Sequence, residues 1–548
     1  MAETKREIER KYESDDSGLP DLTGVAGVAA VLDKGVAELD ATYYDTADGR
    51  LAAASITLRR RTGGSDAGWH LKFPVAPGVR DEIRAPLSDH LPRVLAGLIR
   101  SRVRGAEVAP VVRLRSARDV RELVDDAGRL LAEVSVDEVR ADRLTDGGGA
   151  AQWTEIEVEL ADGGEPVFLD KVEKRLRKAG VRPSGSASKL ARALAETAPR
   201  TPGTSRGKKS GKAGKKQPAA SGKKPAKGGT ATATATAIST STATAAPAPS
   251  AGRAAPRAPR TAGDHVLAYL RAQRDAIVEL DPAVRRDLPD SVHRMRVATR
   301  RARSAFRSFA KVLDRSVTDP IGAELKWLAG ELGVDRDQEV LADRLTAALD
   351  ALPRPLVSGP VRNRLRTWAR ARGGGSRRRL LAVLDGKRYL ALLDALDRLV
   401  DEPPLLAAAG GAPEKVLAKA VCKDFGRVAA LVEEALGQPP GPGRDLALHE
   451  ARKRTKRTRY SAEASGPALG APATDLVRSM KALQGLLGDH QDSVMIREAL
   501  RGLAGQAHAA GESAFTYGLL YGREERRAER VETALPDTWA ATADGMHV

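Results

Sequence analysis

Glu7-Ile8-Glu9-Arg10-Lys11 is the stretch from which the first half of this chain can be read. Residues two apart in a strand share a face, so Glu7, Glu9 and Lys11 point the same way. Other segments repeat the pattern: Arg59 with Arg61, His70 with Lys72, Arg80 with Glu82 and Arg84, Arg113 with Arg115, and Glu155 with Glu157 and Glu159. The opposite faces carry Ile8, Leu58, Ile156 and Val158. A solvated sheet face would explain one such strand, but six repeats point to charge gathered inside a barrel. Paired carboxylates are hard oxygen ligands suited to Mg²⁺ or Mn²⁺. Rows of Arg and Lys suit phosphate oxygens. Together they describe a site for a divalent metal and a polyphosphate.

Outward from that strand, β-type patterns run over 7–12, 41–44, 55–61, 70–73, 111–115, 130–139 and 153–160, separated by Gly, Asp and Pro. Such a series fits a sandwich or a closed barrel. From Arg200 to Ala262 the chain is Lys, Ala, Thr, Gly, Pro and Ser without a leucine or an aromatic residue, a composition that predicts disorder. That stretch holds 13 Lys and Arg and no acid, out of a net charge of +18, so an anion site in the folded parts must come from local clustering. Beyond it, Leu, Ala and Arg recur at helical spacing, broken at Gly373-Gly374-Gly375 and Pro439-Pro440-Gly441. The expected architecture is multidomain α+β: a β domain over 1–198, a disordered linker over 199–262 and an all-α, duplicated helical domain over 263–545.

The β segments also resemble a known family in order. Glu7-x-Glu9-x-Lys11 is similar to the signature of the CYTH superfamily, the triphosphate tunnel metalloenzymes. Tyr43-Tyr44-Asp45-Thr46, Leu58-Arg59-Arg60-Arg61, Trp69-His70-Leu71-Lys72, Arg80-Asp81-Glu82, Trp153 to Leu160 and Ser188-Lys189 follow as that family's later elements do. The resemblance implies an eight-stranded antiparallel tunnel that releases the terminal phosphate of a triphosphate. It implies that Glu7, Glu9, Glu155 and Glu157 hold the metal, with Asp137 and Glu159 as further acids. It implies that Lys11, Arg59, Arg61, Lys72, Arg113, Arg115 and Lys189 bind triphosphate. Phosphoryl transfer needs charge neutralisation and positioning more than covalent chemistry. Lys72 or Lys11 could be the catalytic base only if burial depresses its pKa.

The helical half is written twice. His293-Arg294-Met295-Arg296 through Arg303 aligns with His449-Glu450-Ala451-Arg452 through Arg459 at an offset of 156, and Leu325-Lys326 through Gly333 with Met480-Lys481 through Gly488 at 155. Duplication predicts two similar halves about a pseudo-twofold axis. His293, Arg296, Arg300, Arg303 and Arg307 fall on one helical stripe, and His449, Arg452, Lys456 and Arg459 on its equivalent. A solvated face is the ordinary account of one such stripe; its repetition favours a basic groove for a long polyanion. The pattern resembles the CHAD domain, with Gly386-Lys387-Arg388-Tyr389, Leu483 to Asp489 and Gly518 to Glu524 as further matches. That resemblance implies binding of inorganic polyphosphate, in some relatives at polyphosphate granules. His293 and His449 read equally as core donors or as ligands.

One cysteine, Cys422, excludes a disulfide-built scaffold. The charged first residues resemble no signal peptide, and no apolar run reaches membrane length, so a cytoplasmic protein without a membrane partner is expected. The favoured reading is a divalent-metal-dependent triphosphatase joined to a polyphosphate-binding module. A non-catalytic polyphosphate or granule protein, a nucleoside or thiamine triphosphatase, and an adenylate cyclase stay open. Nucleic acid is disfavoured as a specific partner for want of interleaved aromatics.

Overall fold

The computed structural model describes residues 3–14, 18–145, 147–199, 258–333, 336–373 and 376–545. Most of the stretch read as a disordered linker, 200–257, lies outside these residues, as do Gly374 and Gly375. The chain divides into a β-rich unit and a helical unit, with Ala96–Gly105 grouped with the helices.

In the β-rich unit the order is β1 (Glu3–Glu13), β2 (Ala30–Asp45), α1 (Arg50–Ala53), β3 (Thr57–Thr62), β4 (Gly68–Ala76), β5 (Val79–Ala85), α2 (Arg93–Val103), β6 (Ala109–Val124), β7 (Leu130–Arg143), β8 (Ala150–Leu160), α3 (Val167–Lys178), the two-residue β9 (Arg182–Pro183) and α4 (Lys189–Glu196). Neighbours run β5-β4-β3-β2-β6-β7-β8-β1, and β1 returns to β5, so eight antiparallel strands close a barrel. The closing strand divides its pairing. Glu3–Ile8 lies against β5, whereas Glu9–Glu13 lies against β8. Closure leaves no long open edge.

The apolar face of this barrel points outward where helices cover it. Ile156 and Val158 of β8, Val134 of β7 and Tyr12 of β1 pack with Leu169, Val172 and Leu176 of α3. The other cluster is inside: at one end Leu190 and Ala193 of α4 plug the lumen, packing on Val112, Leu114, Val139 and Trp153. Burying a Leu, Ile or Val completely is worth about 1.5–3 kcal/mol, so these two clusters set the strand parity. Apolar residues on β1 and β8 go to the helix side, and their alternate carboxylates therefore go to the lumen. Ser188 caps α4, its side chain accepting from the Ala191 N–H at 3.1 Å, which fixes Lys189 at the first helical position.

The helical unit comprises α5 (Ala262–Arg285), α6 (Ser291–Ser308), α7 (Arg315–Glu331), α8 (Arg336–Asp350), α9 (Val361–Gly373), α10 (Ser376–Asp385), α11 (Lys387–Asp401), α12 (Pro413–Gly437), α13 (Pro442–Leu469), α14 (Ala471–Ala509) and α15 (Phe515–Asp544). Met295, Ala298, Ala302 and Phe306 of α6 enter one apolar core, and Leu448, Ala451 and Ala462 of α13 enter another. Two contacts between α6 and α13 answer to the sequence repeat. Arg301 Nη2 lies 2.9 Å from Glu463 Oε2, and Arg457 Nη2 donates to the Arg307 carbonyl at 3.0 Å. Arg301 and Arg457 are repeat equivalents, and so are Arg307 and Glu463. An exchange in which i meets j′ and j meets i′ is the mark of a twofold relation. Among the described residues no helix is long and apolar enough to cross a membrane.

Candidate functional site

A cavity of about 380 Å³ occupies the barrel, and charged side chains from β1, β3, β4, β5, β6, β8 and α4 converge on it. Glu7, Glu9 and Lys11 reach it from β1, Arg59 and Arg61 from β3, Lys72 from β4, Glu157 from β8 and Lys189 from α4. Strand register sets the pairings. Lys11 stands opposite Glu157, Lys72 opposite Glu82, and Asp137 opposite Glu155. Lys72 Nζ lies 2.6 Å from Glu7 Oε2 and 3.4 Å from Glu82 Oε1. Lys11 contacts Glu157 and lies 3.2 Å from Glu9.

Behind the cavity wall is a tighter cluster. Asp137, Glu155 and Glu157, all buried, bring carboxylate oxygens within 4.8 Å of one another. Lys189 Nζ sits among them at 3.0, 2.7 and 2.6 Å. Arg118 forks onto both Asp137 oxygens at 2.7 Å and reaches Glu157 Oε2 at 2.7 Å. Glu155 also accepts from Trp153 Nε1 at 2.6 Å. Of the five acids assigned to the metal, Glu7, Glu9 and Glu157 face the cavity; Asp137 and Glu155 lie deeper, under Lys189.

Two expected phosphate ligands are elsewhere. Arg113 and Arg115 are half-exposed and pair with Asp40 at 2.5 Å and Asp142 at 2.6 Å, away from the cavity. The cause is parity. Val112 and Leu114 are buried, which turns 113 and 115 outward and Arg118, two steps past 114 on the same face, inward. Arg118 escaped the sequence reading because β6 was taken to stop at Arg115, whereas it runs to Val124. Tyr43 and Lys5 also line the cavity and were not singled out as site residues. The signal for Lys5 was its place two residues before Glu7; Tyr43 lay in the quoted Tyr-Tyr-Asp-Thr motif.

Burial pushes Glu7 up to about 6, with Lys72 opposing it and Glu82 and Glu159 adding to it. Burial alone would raise Glu9, yet Lys11 holds it below the ordinary carboxylate range. Burial pulls Lys11 down, but Glu157 and Glu9 more than offset this, so Lys11 is held above the usual lysine value. Lys11 is therefore held protonated near neutral pH, so the depressed pKa on which its role as a base was made to depend is not found there. Lys189 is likewise raised against burial, by Asp137, Glu157 and Glu155. Burial, with Arg59 and Arg118 alongside, brings Arg61 down to about 9. Arg59 and Arg61 each bury an Nε–H that meets no acceptor among the described residues.

In the helical unit, Arg303 and Arg307 border a large cavity, and Arg459 stacks over Tyr460 at 4.9 Å with Glu463 at 3.6 Å. The guanidinium of Arg296 lies over Gly333, where an added Cβ would come within 2.8 Å of Nη2, and that of Arg452 lies over Gly488 at 3.6 Å. These are equivalent residues on equivalent glycines, a second trace of the duplication. Arg300 and Lys456 are half-buried on their helices, His293 is exposed, and His449 is half-buried. Burial and Lys453 lower His449, which leaves it neutral at pH 7. A further cluster joins buried His490 to Glu532 at 3.2 Å and Asp445 at 3.4 Å, with Arg444 and Arg497 against the same carboxylates.

Residues 5–194 match the model of the CYTH domain, and residues 268–501 match that of the CHAD domain. Two uncharacterized proteins of Mycobacterium tuberculosis are 37% identical over 96% of this chain and 95% of their own length. Among solved structures, PptA from Streptomyces chartreusis is 22% identical, with a TM-score of 0.43 over 52% of this chain and 100% of its own. The CHAD domain of Ricinus communis is 23% identical, with a TM-score of 0.41 over 54% of this chain and 96% of its own. A candidate adenylyl cyclase of Hippeastrum, described as having a dominant triphosphatase activity, is 19% identical, with a TM-score of 0.21 over 35% of this chain and 96% of its own.

Proposed function

Because this chain belongs to the family that joins a CYTH domain to a CHAD domain, we propose that its barrel hydrolyses the terminal phosphoanhydride bond of inorganic triphosphate or polyphosphate with Mg²⁺ or Mn²⁺, while the helical unit binds polyphosphate. One observation carries the reading for the barrel. In a single cavity, the carboxylates of Glu7, Glu9 and Glu157 lie with the guanidinium groups of Arg59 and Arg61, whose buried Nε–H donors meet no acceptor among the described residues. Leaving such a donor unpaired costs about 1–3 kcal/mol, which a phosphate oxygen would recover.

The donor set fits a hard divalent cation. Glu7, Glu9 and Glu157 present carboxylate oxygens to the cavity, and the Lys189 ammonium already stands where positive charge is needed to hold three neighbouring acids together. When bound, the ion would neutralise phosphate oxygens and supply Lewis acidity. Glu7, Glu9 and Glu157 would hold it. Arg59 and Arg61 orient the triphosphate through fixed N–H forks, and Lys72 adds a point charge from β4. Lys11 and Arg118 keep Glu157 ionised and aimed, and so act through it. Among the described residues Tyr43 is the one aromatic side chain lining the cavity, and it accepts from Arg59 at 3.3 Å. With no free ring to stack a base, an inorganic substrate suits the cavity better than a nucleotide.

Covalent joining of the two units raises the local concentration of chain ends at the barrel. The cytoplasm and polyphosphate granules are the places where such a pairing would act. The test is phosphate release from tripolyphosphate with Mg²⁺ or Mn²⁺, comparing the parent with the double variant Glu7→Ala, Glu9→Ala. A loss of roughly a hundredfold or more is expected. Equal rates would leave a barrel that only grips chain ends.

A further inference from the structure

A cavity in the helical unit differs in chemistry from the one in the barrel. It measures about 1280 Å³ and opens between α6, α7, α12 and α13. Its floor is apolar: Phe306, Phe309 and Val312 line it, each no more than 3% exposed. Its mouth is cationic, with Arg303, Arg307, Lys415, Lys419, Lys423 and Arg454 around it. Two acids line it, and both are taken. Asp319 pairs with Arg315 at 2.7 Å and Asp424 with Arg457 at 2.9 Å. The six mouth cations make no ion pair among the described residues. Crowding shows at Arg303, which burial and then Arg307 lower from the ordinary arginine value.

The duplication supplies a control within the same molecule. Arg307 corresponds to Glu463 in the second repeat, a reversal of charge. There Glu463 is paired by Arg301 at 2.9 Å and Arg459 at 3.6 Å, and both guanidinium groups lie over the Tyr460 ring. The equivalent position is thus neutralised by the chain's own residues, whereas the first repeat keeps unpaired cations over an apolar hollow. Polyphosphate has no apolar part and would gain nothing from Phe306, Phe309 and Val312. Clefts of this make-up, an apolar wall with a few convergent charges, are those that hold small organic ligands.

We infer that this cavity binds a phosphate monoester with a hydrocarbon body, the phosphate at the Lys and Arg mouth and the body on the phenylalanine floor. The site is separate from the barrel chemistry. The body has two chemical sources, an aromatic ring or an alkyl chain. The experiment uses the full chain with 1-naphthyl phosphate, with dodecyl phosphate below its micelle concentration, and with inorganic phosphate as the reference, each followed by titration calorimetry. At least one monoester is expected to bind tighter than inorganic phosphate by about tenfold or more, through burial of its body. The tighter of the two identifies the source. Ala323 lines the cavity from an exposed position on α7, so Ala323→Trp fills the hollow without entering the core. That variant should lose the tenfold gain while keeping its affinity for inorganic phosphate and its melting temperature. Should it fail to fold, Ala420→Phe fills the cavity from α12. The proposal is overturned if both monoesters bind no tighter than inorganic phosphate, or if a folded, filled variant binds them as the parent does.

Discussion

Replacing Lys189 by Met removes the charge that sits among Asp137, Glu155 and Glu157 while keeping the length of the side chain. Two carboxylates 4.8 Å apart repel by about 3.5 kcal/mol at an effective dielectric of ~20. The alternative to repulsion is for one acid to take up a proton, which at pH 7 costs an ordinary carboxylate about 4 kcal/mol. Arg118 remains on Asp137 and Glu157, so the loss is set by one uncompensated charge, not three. The expected destabilisation is therefore about 3–4 kcal/mol, in line with breaking a buried ion pair from one side. For a domain of this size that lowers Tm by roughly 10 °C. Calorimetry of the full chain at pH 7 measures it, with the barrel transition identified by Trp153 fluorescence. Millimolar Mg²⁺ or Mn²⁺ should restore more stability to Lys189→Met than to the parent, since a cation is what the cluster lacks; Na⁺ at equal ionic strength should not. A loss below about 1 kcal/mol, or the same response to divalent ions in both proteins, would refute the account of Lys189 as the cluster's charge balance.

Arg113→Ala and Arg115→Ala should each leave phosphate release within about twofold of the parent, because both pairs are exposed and worth little, whereas Arg59→Ala should lower kcat/KM by a factor of about 100 or more; steady-state rates on tripolyphosphate decide it. Glu7 has a folded pKa near 6, above its unfolded value near 4.5, so its ionised form is disfavoured in the fold and its contribution to stability is lost as pH rises from 4.5 through 6. Glu7→Gln should accordingly raise the melting temperature of the metal-free protein at pH 7, by the equivalent of roughly 2 kcal/mol, and leave it unchanged at pH 4. Divalent-ion affinity of the parent should fall as pH drops through about 6, where Glu7 takes up the proton that must leave for it to act as a ligand; titration calorimetry across pH 5–8 reads this slope. Gly333→Ala should weaken polyphosphate binding several-fold by displacing the Arg296 guanidinium, and Gly488→Ala should not, because the added carbon would meet Arg452 at ordinary contact distance; equal effects of the two would show that the glycines do not seat the guanidinium groups.

How legible the site was depended on the strand. On β8 one parity is charged and the other apolar, and on β1 Glu7, Glu9 and Lys11 alternate with Ile8 and Tyr12, so Glu7, Glu9 and Glu157 could be placed on the lumen side from a period of two. On β6 arginines occur at 113, 115, 118 and 121, on both parities, and charge alone could not choose the inner face. The choice was made by Val112 and Leu114 packing under α4, a contact between segments about 80 residues apart that no local pattern carries. The depth of Glu155 was hidden for a similar reason, since α4 brings Lys189 and a lid of apolar residues over it. In the helical unit the repeat was legible because it lies in residue identities. The cavity beside it was not, since it depends on how four helices are spaced.

The division of β1 between two partners also bears on how the molecule is made. Lys5 and Glu159, joined across the seam at 2.6 Å, are 154 positions apart. During synthesis the first strand leaves the ribosome well before β8 exists, and its edge stays unsatisfied while seven further strands are made. The helical unit follows and needs nothing from that seam in its own repeat contacts. Folding of the first unit should thus be slow and late, limited by a single long-range closure, while in the second the helices within each repeat can pair with neighbours in sequence before α6 meets α13.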